Sequence, residues 1–201
     1  AKDDWSRVFL KSDKVIPVLY SNLSVVELVS HSTNNPVPYA IAQIIKVAVM
    51  HRVTDTFGPI PYSQIGADGA LSTPYDSEEK VYNTFFDELD AAIKTLNEHP
   101  NELLTSTADY VYGGDVKKWI KFANSLRLRL AMRVSNVNKA LAASEAKKAL
   151  ENSYGVIESS AENIQISGKG YQNPLAGVAG WGETYMGATM ASVLNGYEDP
   201  R

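Results

Sequence analysis

The sequence predicts an all-α fold: tetratricopeptide-like stacked helix pairs, joined by long irregular loops, with at most a short β-hairpin. Three observations predict it. Five segments repeat their apolar residues at the helical period. Two of those segments are apolar on more than one face, as helices packed between neighbours must be. Proline, glycine and short polar residues punctuate the segments where helix ends need them. No repeat of roughly 34 residues is visible, so the expectation of stacked pairs rests on the burial pattern alone.

The first helix is expected between about Asp4 and Ser30, with Asp13 a candidate cap and Pro17 marking a break or a first turn. The second runs from about Val37 to Phe57, so apolar that little polar face remains, and Gly58, Pro59 and Pro61 stop it. The third opens at Asp76-Ser77-Glu78-Glu79, read as an Asp76 cap closed by Glu79, and buries Val81, Phe85, Leu89, Ala92, Ile93 and Leu96, widened by Tyr82 and Phe86.

The fourth helix, Asp115 to about Ser135, carries two stripes. Trp119, Phe122, Ala123, Leu126, Leu130 and Val134 form one, and Ile120, Asn124, Leu128 and Ala131 form another nearly opposite. Such a helix lies between two neighbours, and Arg127 between the stripes calls for a carboxylate or carbonyl partner. The fifth spans about Asn138 to Asn152, with Gly155 as its terminator. After it the texture changes: Asn163 to Ser167 alternates like a short strand, six of the 13 glycines fall between Gly168 and Gly187, and a last helix is expected from about Glu183 to Leu194. The chain therefore reads as one helical section over 1–201, cut from a longer protein at both ends, with paired helices over 1–155 and a glycine-rich loop region plus a short helix over 156–201.

Composition narrows the function classes. A hydrophobic content of 44% over 201 residues supports a sizeable core, and a net charge of −4 with pI near 5.4 gives no electrostatic footprint for nucleic acid. The absence of cysteine excludes disulfides, thiolate zinc and a cysteine nucleophile. His31, His51 and His99 lie on different segments without metal-ligand spacing, so no cofactor is expected, although an oxygen-ligand calcium ion in a loop stays open. His51 and Asp55 share a helix face and could orient a base, yet no nucleophile is near, and hydrogen bonding within the fold is the simpler reading. Asp87, Glu88 and Asp90 read as a solvated face. Gly168-Lys169-Gly170 lacks the spacing of a phosphate loop. No catalytic residues are expected.

The aromatics are the remaining chemistry. Tyr171, Trp181, Tyr185 and Tyr197 fall in or beside the glycine-rich segment, with Gln172 and Asn173 able to supply amides. Flat rings with nearby amides suit the C–H faces and hydroxyls of sugars. Trp181, between Gly180 and Gly182, has two readings: a sugar platform, or a plug anchoring a loop to the helices. The candidate ligand-binding set is Trp181, Tyr185, Tyr171, Asn173 and Gln172.

Three segments, in order and spacing, resemble the SusD/RagB-like nutrient-binding outer-membrane lipoproteins of Bacteroidetes. They are Thr54-Asp55-Thr56-Phe57-Gly58-Pro59-Ile60-Pro61-Tyr62, then Val111 to Asp115 followed by the helix from Lys118 to Arg133, and last Asn195-Gly196-Tyr197-Glu198-Asp199-Pro200-Arg201. The signature positions are Trp119, Asn124, Arg127, Arg129, Arg133, Gly58 and Pro61. The resemblance implies a helical scaffold that is no enzyme. It also implies a lipid-anchored place on the outer surface of the outer membrane. There the protein would capture an oligosaccharide, or in some members a peptide, and pass it to a SusC-like TonB-dependent transporter. A scaffold that binds only that transporter is the alternative. Ligand residues in this family form no motif, so the aromatic site is read from the residues themselves.

Overall fold

A computed structural model of the chain describes residues 15–65, 72–102, 104, 107–166, 180–182 and 185–199. The chain divides into two units, residues 1–164 and 165–201. In the first, five α-helices follow one another: α1 (Val15–Thr33), α2 (Val37–Phe57), α3 (Glu78–Glu98), α4 (Val116–Val134) and α5 (Lys139–Glu151), with a short 3-10 turn at Ser160–Glu162. Each helix packs on the next, and α2 also touches α4. The predicted all-α, tetratricopeptide-like stack is what the chain forms. The second unit contributes α6 (Ala188–Gly196), a helix with no buried residue.

Local chemistry sets the boundaries. Pro36 precedes α2 and Pro38 sits in its first turn, where a missing N–H costs nothing. Gly58 ends α2 at φ 76°, its N–H reaching Thr54 O at 2.8 Å. In α4 the Asp115 carboxylate caps the amides of Lys117 and Lys118, and in α5 the Asn138 side chain caps Leu141. Within α1, Pro17 lies in the first turn; the expected Asp13 cap and the start near Asp4 fall outside the described residues.

The burial predicted from periodicity is found. Val81, Tyr82, Phe85, Phe86, Leu89, Ala92, Ile93 and Leu96 of α3 are buried, and both stripes of α4 supply core residues, Trp119 and Leu130 from one and Ile120 and Ala131 from the other. The two-striped helix lies between α3 and α5, as its pattern requires.

Three expectations are corrected. Ser77, not Asp76, caps α3, accepting from the Lys80 amide, while Asp76 turns away to accept from the Ser63 amide at 2.6 Å and the Lys80 ammonium at 2.5 Å. Capping by Asp76 would have left Ser63 without that acceptor. Asn163 to Ile166 form no strand: Asn163 donates back to Ser160 O in the 3-10 turn, and among the described residues no strand edge pairs with them. Ser167 lies outside the described residues, as do Glu183 and Thr184 at the expected start of the last helix. Extended pairing is limited, among the described residues, to one antiparallel bridge between Ile60 and Asp76.

The carboxylates of α3 are the third correction. Asp87 is exposed as expected, but Glu88 accepts from Lys46 at 2.6 Å and from the Tyr62 hydroxyl at 2.5 Å, and Asp90 takes Arg127 and Lys148. Both tie α3 to its neighbours, Glu88 mostly covered and Asp90 still partly exposed. Tyr62 and Asp109, described next, bind their loops to the core.

Candidate functional site

The resembling segments build a frame. After α2 stops at Gly58, the chain turns through Pro59 and Pro61 and delivers Tyr62 into the core, edge-on to Phe85 at 5.0 Å. Its hydroxyl donates to Glu88 while the Lys46 ammonium lies 4.9 Å from its ring. Burial, then the Glu88 charge, pushes the Tyr62 hydroxyl well above its ordinary range, so it stays a donor.

The turn before α4 is organised by one buried carboxylate. Asp109 Oδ1 accepts from the amides of Val111 (2.9 Å) and Tyr112 (3.1 Å), and Oδ2 from the Gly114 amide (2.9 Å) and the Trp119 indole N–H (2.8 Å). Burial pushes this carboxyl up, but the Trp119 indole and the three amides outweigh it and hold it below the usual range. Gly114 sits at φ +92°, and a Cβ there would overlap the Leu104 carbonyl. Glycine is needed at this position both for conformation and for space.

Along α4 the signature side chains mostly hold other elements. The Asn124 amide donates to Gly155 O at 2.8 Å, Ser125 Oγ accepts from the Ile157 amide at 2.8 Å, and Lys121 pairs with Glu162 at 2.5 Å. Together these bonds fix the segment after α5. Arg127, buried, bonds Asp90 and lies 3.4 Å from the buried Glu145, which answers its expected need for a carboxylate. Arg129 is exposed.

Beside the frame lies an open cleft of about 520 Å3 that sequence reasoning missed. Its floor is the Tyr82 hydroxyl donating to Asp55 at 2.5 Å, with Arg133 at 3.0 Å from the other Asp55 oxygen. Glu78, Glu79, Asn83 and Asn138 supply polar groups, and Val134, Val137 and Leu141 an apolar side. The residues come from four helices and their caps, so no local pattern could have gathered them. His51 does not engage Asp55. Its Nδ1 lies 3.2 Å from Val47 O in its own helix, and burial lowers its pKa, so the ring is a neutral core group rather than an oriented base.

The second unit holds what is described of the aromatic set. Trp181 is 71% exposed, Tyr185 88% and Tyr197 84%. Trp181 and Tyr185 thus both present open rings, with Gly182 at φ 71° beside the first. Tyr171, Gln172 and Asn173 lie outside the described residues. Among the described residues no cluster of three or more metal-ligating side chains occurs, and no helix is long and apolar enough to cross a membrane.

Comparison with known proteins agrees with this frame. The SusD-like family, described as SusD and RagB outer membrane lipoproteins, matches residues 1–201. A SusD homologue from Bacteroides uniformis is 54% identical with a TM-score of 0.85, covering 91% of this chain and 38% of that one. One from Bacteroides vulgatus is 53% identical at TM-score 0.85, covering 98% and 39%. A chitin-binding SusD homologue from Flavobacterium johnsoniae is 37% identical at TM-score 0.81, covering 90% and 39%. The chain thus spans about two-fifths of the length of these solved structures. No curated protein matches. With the Tyr62 turn, the Asp109-centred entry to α4 and the α4 side chains all in place, the chain belongs to the SusD-like family of outer membrane lipoproteins.

Proposed function

We propose that the full-length protein containing this chain captures a nutrient, an oligosaccharide first of all, at the outer surface of the outer membrane, where it is held by a lipid anchor, and passes it to a SusC-like TonB-dependent transporter. It binds and releases its ligand without turnover and uses no cofactor. The observation that carries the capture step is the open pair Trp181 and Tyr185. Each ring can stack on a sugar's C–H face, and stacking of this kind needs no charge on the ligand. The chitin-binding SusD homologue, 37% identical, supports a glycan over other nutrients. Tyr171, Gln172 and Asn173 are the candidate companions of these rings in the same stretch of sequence.

The test is a glycan screen of the full-length protein that includes β-linked N-acetylglucosamine oligomers, followed by calorimetry. Trp181→Ala and Tyr185→Ala are each expected to weaken binding about five- to tenfold, the loss of one stacked ring of roughly 1–1.5 kcal/mol. Parental affinity in both variants would sink the aromatic site.

A peptide-capturing reading has one specific observation in its favour. The cleft over Asp55, Tyr82 and Arg133 is rimmed by Glu78 and Glu79 and walled by Val134, Val137 and Leu141. That lining suits a basic residue with an aliphatic stem better than a neutral sugar. Binding of Lys- or Arg-bearing peptides that is lost in Glu78→Gln/Glu79→Gln and kept in Trp181→Ala would favour it.

A further inference from the structure

We draw no further inference here: the strongest candidate, the open cleft between helices α2 to α5 over Asp55, Tyr82 and Arg133, belongs to the site already described, and nothing in the structure shows what covers it.

Discussion

At the scale of single residues, two carboxylates carry much of the order in the loops. Asp109 satisfies four N–H donors around one turn. Asp109→Asn sets an amide against donors it once accepted. It should cost about 2–3 kcal/mol and lower the melting temperature by about 5–10 °C. For Asp76, burial pushes the carboxyl up, but the Lys80 ammonium and the Ser63 amide hold it at about 2. A folded-state pKa below the unfolded value contributes stability that is complete above pH about 4 and lost as pH falls toward 2. Thermal melts across that window should show a slope that Asp76→Asn flattens, and an unchanged slope would contradict the assignment. Gly114→Ala must both strain its backbone and displace Leu104; a melting temperature within a degree of the parent would refute that reading. None of these roles was legible in advance. Asp76 reads as a cap because its partner Ser63 is 13 residues away, and nothing local in the sequence distinguishes Asp109 from any loop aspartate.

At the scale of elements, the sequence was most readable where one helix's own chemistry decides. The span of α2 from Val37 to Phe57 follows from prolines at its entry and Gly58 at its exit, and the double stripe of α4 foretold its two neighbours. What stayed hidden was pairing between elements. Glu88 and Asp90 fall opposite the apolar stripe of α3 and so look solvated, yet Lys46, Tyr62, Arg127 and Lys148 from other segments claim them. The α4–α5 contact gives a direct test, because Arg127 and Glu145 are both buried. Arg127→Met alone should cost about 2–3 kcal/mol, because the buried Glu145 keeps only Lys148 at 2.7 Å and Asp90 loses one of its two cations, and adding Glu145→Leu should recover part of it. Chemical denaturation of the four species of this cycle measures the coupling; additive losses would show that the pair does not act as a unit.

At the scale of the whole molecule, the helical stack is a scaffold whose interior charges are spent on holding helices together. Lys46, Glu88, Arg127, Glu145 and Asp109 all have partners inside the fold, and His51 is neutral in the core. Among the described residues, the exposed rings of Trp181 and Tyr185 and the mixed cleft over Asp55 and Arg133 are open to a ligand. The first was visible in the sequence because glycines flank a tryptophan. The second was not, since four helices assemble it. Both fit the proposed binding role, whose central claim is capture without turnover. Its most direct test is to titrate the full-length protein with defined N-acetylglucosamine oligomers, or with whichever glycan the screen selects, and then recover and size the ligand. Saturable binding with every oligomer returned at its original length is the result expected. Shortened oligomers, or no saturable binding to any glycan, would contradict the account.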